Sequence, residues 1–204
     1  MKKFLSIILS VIFAFPAISS TNGDRVLSKL IANYKAQSGI SANYSISSTQ
    51  GSTSGTICMQ GNQFRMVSKD LICWFDGKTQ WSYSPISQEV NIMEPTSEEL
   101  QMVNPYSIIS NFQSTFNAVL LKSNDATKHK VSLTPKSKGQ EIASVTISVP
   151  HKTYLPDLIE FKMMDGTTLT IAISNYKIKQ SFNKSTFKYD KSMIPEGTPT
   201  VDLR

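Results

Sequence analysis

Between residues 56 and 93 the chain is cut into short alternating runs by links too brief to join anything but adjacent antiparallel segments. The runs are 56–60, 63–68, 71–75, 79–84 and 88–93; the links are Gly61-Asn62, Lys69-Asp70, Asp76-Gly77 and Pro85-Ile86. A period of two is that of a strand with two unlike faces. A parallel return needs a dozen or more residues, so these runs must form an antiparallel meander. Its middle run, Leu71-Ile72-Cys73-Trp74-Phe75, is apolar at every position. That suits a central strand covered on both sides.

The same stretch contains Gly77-Lys78-Thr79, the closing letters of a phosphate-binding loop. Such a loop requires a second glycine five residues earlier, where backbone N–H groups cradle phosphate. That position is Ile72, and Trp81 and Tyr83 continue the period of a strand rather than opening a helix. Asp76-Gly77 between apolar runs is instead a hairpin signal, because glycine takes positive φ at no steric cost. A turn is expected, and no nucleotide site.

Strand patterns also occur at 40–46 and resume at 130–134, 141–149, 158–164, 168–174 and 176–179. Residues 51–55 read as a flexible turn; the likeness to a nucleophile elbow is superficial, since Thr53 replaces the serine and no helix follows. An opening helix spans 24–37, with Val26, Leu27, Leu30, Ile31 and Tyr34 on one stripe, Asn22 or Asp24 as cap and Gly39 beyond its end. In mid-sequence Thr96-Ser97-Glu98-Glu99 is a capping-box start and Asn104-Pro105 a second helix start. The apolar series from Met102 to Leu120 is read as short helical or irregular pieces that must lie on something to be stable. The end, 185–204, reads as an extended tail. About eleven strands, one helix and one helical insertion describe a single domain of mainly β structure. A sheet that wide curls, so the expected fold is an incomplete antiparallel barrel holding helices.

Lys2 and Lys3 precede a continuous apolar segment from Phe4 to Phe15, then Pro16 and the small residues Ala17 and Ser19. This is the layout of a signal peptide over residues 1–19, too short to span a bilayer as a stable helix. Residues 20–204 would be the exported domain, long enough for a real core. The net charge of +6 is spread along the chain without an arginine-rich strip, so no nucleic-acid partner is indicated.

Chemistry-bearing residues are sparse. His129 and His151 are the two histidines, neither at ligand spacing from another histidine or cysteine, so no metal or cofactor is expected. No paired carboxylates suggest acid–base catalysis, and the chain is not expected to be an enzyme. An acyl hydrolase using Cys58, Cys73 or a histidine is the rival reading. Cys58 and Cys73 fall on strands separated by one other, about 9–10 Å apart at ordinary strand spacing. A disulfide needs less than about 7 Å, so two buried thiols are expected. What the sequence does offer is bulk. Ile57 and Met59, Phe64 and Met66, Trp81 and Tyr83, and Val90 and Ile92 each share a strand face. Those eight are the expected lining of a hydrophobic cavity, with Met102, Ile108, Ile109, Phe112 and Phe116 on a lid above it.

The segment DGKTQWSYSPISQEVNI, residues 76–92, resembles the D-G-K-T-x-W-x-Y-x-P-x-x-x-x-V pattern of LolA-type outer-membrane lipoprotein carriers. The resemblance continues in GTICMQGNQFRMVS, NPYSIIS, VSLTPKSK and the terminal FKYDKSMIPEGTPTVDLR, in order along the chain. It implies a half-open barrel with a helical lid, located in the periplasm, carrying the acyl chains of lipoproteins from inner to outer membrane. Implied partners are acylated lipoproteins, an inner-membrane lipoprotein-releasing transporter as donor, and an outer-membrane acceptor or that membrane itself, with the carrier a monomer. A lipid- or glycolipid-binding sensor on the same scaffold is the alternative. One departure is visible: the family's lid-latching arginine belongs where this chain has Gln60-Gly61-Asn62, and Arg65 lies on the next strand instead.

Overall fold

The computed structural model describes residues 22–96, 99–100 and 112–204. The expected leader, 1–19, and the lid residues Met102, Ile108 and Ile109 lie outside these. Helix α1 (Asn22–Lys35) precedes β1 (Ile40–Ser48), β2 (Gly51–Gln60), β3 (Gln63–Ser68), β4 (Ile72–Phe75), β5 (Gln80–Ser84) and β6 (Glu89–Met93). A helical turn, Phe112–Thr115, leads into β7 (Phe116–Leu121), β8 (Lys128–Pro135), β9 (Ile142–Pro150), β10 (Leu158–Met163) and β11 (Thr168–Lys177). Two 3₁₀ turns, Lys184–Phe187 and Lys191–Met193, precede β12 (Thr200–Asp202).

The twelve strands among the described residues form one open sheet in the order β12-β6-β5-β4-β3-β2-β1-β11-β10-β9-β8-β7. Its pairings are antiparallel except for β12, which lies parallel to β6. The hairpins close as the residues require. At Asp76-Gly77, Asp76 Oδ1 accepts from the N–H groups of Lys78 and Thr79 at 3.0 and 2.9 Å, while Gly77 sits at φ 103°.

Curvature follows from α1. Its first turn packs on β7, where a Cβ on Gly23 would meet the Ala118–Val119 backbone at 3.0 Å. Near its last turn, the Tyr34 hydroxyl donates to the Gly61 carbonyl in the β2–β3 turn at 3.0 Å. Those anchors are six strand steps apart in the sheet, about 29 Å along its surface. A helix of 14 residues spans only about 21 Å. The sheet must therefore bow around the helix, and the half-barrel is a consequence.

Four expectations change. Residues 116–121, read as part of the helical insertion, are strand β7, because their pairing with β8 satisfies backbone groups that an isolated short helix could not. Residues 51–55 are strand rather than turn: they pair with residues 44–48 of β1, and Thr49-Gln50 makes the reversal. Residues 168–174 and 176–179 belong to one strand over most of their length, with Asn175 at φ 52° beside a register shift opposite β1. The tail is not merely extended, since it supplies the 3₁₀ turns and β12.

Candidate functional site

The inner face of the sheet carries rows of cross-strand neighbours that can be followed from strand to strand. One row runs Ile40, Met59, Phe64, Phe75; the next runs Ala42, Ile57, Met66, Cys73. On the other half, Val131, Ile147, Ile159 and Ile171 form a matching row, and Leu133, Val145 and Phe161 another. All are buried in a single core, together with Val26, Leu27 and Leu30 of α1. The amphipathic helix thus buries its stripe between two halves of a curved wall. Gly55 marks a close approach: a Cβ there would fall 2.9 Å from the Tyr44 hydroxyl and far inside the Val67 carbonyl. Tyr44 lies over that gap from the next strand.

Of the eight expected lining residues, four face this interior. Ile57, Met59, Phe64 and Met66 are buried in the inner core. Trp81, Tyr83, Val90 and Ile92 are not on that face. They pair across β4–β6 with Trp74 and Ile72 and form a second cluster on the outer face. The correction has a simple cause. Alternation says which residues share a face, and both faces of β4 are apolar, so nothing local says which one is inside. Phe112 and Phe116, the described members of the expected lid, are both buried in the inner core. Phe112 lies in the helical turn, whereas Phe116 opens β7. The capping box forms as read: Glu99 accepts from the Thr96 N–H at 2.7 Å, and the Glu99 N–H donates to the Thr96 hydroxyl at 3.3 Å. Leu100, which follows it, packs on the inner core.

The outer cluster is sealed by the tail. Tyr189 stands edge-on to Trp74 with centroids 5.7 Å apart, and Met193 and Ile194 pack beside it. Arg65 lies on this outer face, opposite Trp74. Its Nη1 is 3.9 Å from the Met193 sulfur and its Nε is buried without a partner among the described residues. The guanidinium therefore cannot latch anything over the inner face.

The inner face changes character at its β5–β6 end. Gln80 and Met93 continue the first row beyond Phe75, and Ser82 and Asn91 continue the second beyond Cys73. Gln80 is buried. Its Nε2 is 3.7 Å from the Met93 sulfur, and its Oε1 is buried with no partner among the described residues.

The cysteines are free thiols, as expected, but for a reason beyond distance. Cys58 pairs with Arg65 and Cys73 with Met66, so the two project to opposite faces. Cys58 is partly exposed rather than buried. Burial pushes the Cys73 thiol up to about 12, which makes it a poor nucleophile. The histidines, 22 residues apart in sequence, meet at the rim with ring centroids 4.0 Å apart. His129 also contacts the Tyr154 hydroxyl at 3.3 Å, while Lys29 of α1 lies over the Tyr154 ring. The two histidines meet across the open end of the β8–β9 hairpin, so no local spacing announces the contact. Among the described residues no group of three or more potential ligands accompanies them.

The family described as outer membrane lipoprotein carrier protein LolA matches residues 13–167. No curated protein matches the chain in sequence. An uncharacterized conserved protein from Thermus thermophilus superposes with a TM-score of 0.59 at 11% identity, covering 87% of this chain and 97% of that one. A DUF1329 family protein from Desulfovibrio piger gives 0.51 at 10% identity, covering 86% and 100%. MucB gives 0.51 at 9% identity, covering 83% of this chain and 63% of its own. At such identities these structures share a fold with the chain and nothing narrower.

Proposed function

The chain belongs to the family of the outer membrane lipoprotein carrier protein LolA, and from that premise we propose that it is an exported carrier sheltering lipoprotein acyl chains. The observation that carries this reading is the apolar inner face, continuous from Phe75 on β4 round to Ala118 on β7, on a sheet that never closes. Burying hydrocarbon gains about 0.8 kcal/mol per CH₂, or about 12 kcal/mol for a sixteen-carbon chain. A lipoprotein with such chains does not cross water unaided. An open wall can match that gain and still release its load, because ordering the parts that close over a chain offsets some of it.

In this reading Ile57, Met59, Phe64 and Met66 touch the acyl chains, and Met102, Ile108, Ile109, Phe112 and Phe116 cover them. The cargo is acylated lipoprotein in the periplasm, received from an inner-membrane releasing transporter and delivered to the outer membrane. Transfer needs no covalent step and no cofactor, only an exchange of one apolar surrounding for another. Titrating purified protein with a diacylated peptide should displace a fluorescent hydrophobic dye, and depletion in cells should strand lipoproteins in the inner membrane. Absence of displacement sinks the carrier reading.

A second reading, a lipid-binding sensor on the same scaffold, is favoured by one feature. Arg65 is turned to the outer face, so the latch implied by the family resemblance is not available from it. The sensor reading predicts dye displacement without any lipoprotein stranding on depletion.

A further inference from the structure

We infer that the β5–β6 end of the inner face is a subsite for the uncharged amide and ester linkage that joins acyl chains to their carrier molecule. The inference rests on the lipid-binding reading above and adds to it the chemistry of the ligand's polar part.

Strand register puts Gln80, Ser82 and Asn91 on the same face as Phe75 and Cys73, directly beyond the apolar rows. Gln80 is the anomaly among them. It is buried, its Oε1 accepts nothing among the described residues, and its Nε2 reaches only the Met93 sulfur. Turning the amide over would orphan its nitrogen instead. A methionine would fill the same volume with no such defect, so a carboxamide at this depth is unexplained by packing. It is explained by a ligand that brings its own donor and acceptor. A secondary amide offers both, and an ester carbonyl offers an acceptor to the Ser82 hydroxyl or the Asn91 amide.

The charge of the strip narrows the class. Gln80, Ser82, Ser84 and Asn91 are neutral, and the titratable residue beyond them on this face is Glu89, paired with Ser84. An anionic phosphate headgroup would meet a carboxylate and no cation on the strip. A neutral linkage meets amides and hydroxyls. Apolar rows next to a short neutral polar strip match an acylated peptide, whose chains and linkage have that same order.

The test compares two ligands of equal chain length by dye displacement: an S-diacylglyceryl, N-acyl cysteine peptide, and its dialkyl ether counterpart with N-methylated amides. Wild type should hold the ester-amide ligand about tenfold more tightly, the worth of roughly one hydrogen bond formed away from water. Gln80→Met should bring that ratio close to one without weakening the ether ligand, and should unfold at or above the wild-type temperature. Asn91→Leu, at a more exposed position, should lower the ratio in the same sense. A wild-type ratio near one, or a ratio that both variants leave unchanged, overturns the subsite alone. If wild type holds neither ligand, the carrier reading falls and takes the subsite with it.

Discussion

At β4 the sheet is greasy on both sides, yet its two sides are covered by different means. Inside, Phe64, Met66, Cys73 and Phe75 meet α1 and the far half of the sheet, brought round by curvature. Outside, Trp74 meets Tyr189, Met193 and Ile194, which belong to the chain's own tail. The inner cover consists of elements standing on opposite walls, so it can part without undoing any strand pairing. The outer cover is tied down by β12, which hydrogen-bonds to β6. Equal hydrophobicity thus serves two ends: in the proposed function one side takes in a ligand, while the other holds the molecule together.

The largest effects test that division directly. Phe64→Ala and Trp74→Ala should each cost about 3–5 kcal/mol in denaturant unfolding, as large buried aromatics do. Their other consequences should separate. Phe64→Ala should change dye affinity and leave the tail protected, whereas Trp74→Ala should loosen the tail, speed tryptic cleavage after the exposed Lys188 and Lys191, and leave dye affinity alone. Equal loss of dye binding in both would break the comparison.

The cysteines sharpen it, one on each face. Cys58 should alkylate in the folded protein and Cys73 only after unfolding. Burial pushes the Cys73 thiol from 9.0 up to about 12, so the folded state keeps a proton that the unfolded chain gives up near 9. Its contribution is present below about pH 9 and is lost as pH rises toward 12, by up to about 1.4 kcal/mol per pH unit. Tyr34, raised by burial from 10.0 to about 12, adds to the fall at higher pH. Cys73→Ala should flatten the first part of the slope, read from urea midpoints between about pH 8 and 10.

Smaller still, Tyr189→Leu keeps an apolar cover on Trp74 but removes the edge-on ring contact. It should cost about 1 kcal/mol, seen as faster tail proteolysis without altered dye binding. The smallest effect lies at the inner rim. Burial, then the nearby His151 and Lys29, hold the His129 imidazole below its ordinary value. The unfolded chain therefore takes up a proton first, and stability falls slightly as pH drops through about 6.5. In His129→Gln the melting temperature should depend less on pH between about 7.5 and 5.

Much of the meander was legible because its instructions are local. Gly61-Asn62 and Asp76-Gly77 each name a reversal, and the strands between them follow by period. The three-residue β12 was not legible, since it joins β6 in parallel through no turn at all. Nor was β7, whose Phe116, Val119 and Leu120 are spaced as on a helix while its partner β8 starts beyond an unremarkable loop. The site divided along the same line. Alternation grouped Ile57 with Met59 and Phe64 with Met66, and these four lie on the inner face, while Trp81, Tyr83, Val90 and Ile92, expected beside them, lie on the outer one. Which side is inside depends on how the sheet bends, and that is decided by a helix far away in sequence. Gln80 gave no signal, being one glutamine in a strand until register set it beside Phe75.

Because α1 is fastened at Gly23 to one wall and at Tyr34 to the other, it acts as a spacer that gauges the gape of the sheet. One helical turn more or less would reset that separation by about 5.4 Å, close to the thickness of a single hydrocarbon chain. In the proposed carrier, the calibre of the cargo is then set by how many residues lie between those two fastenings.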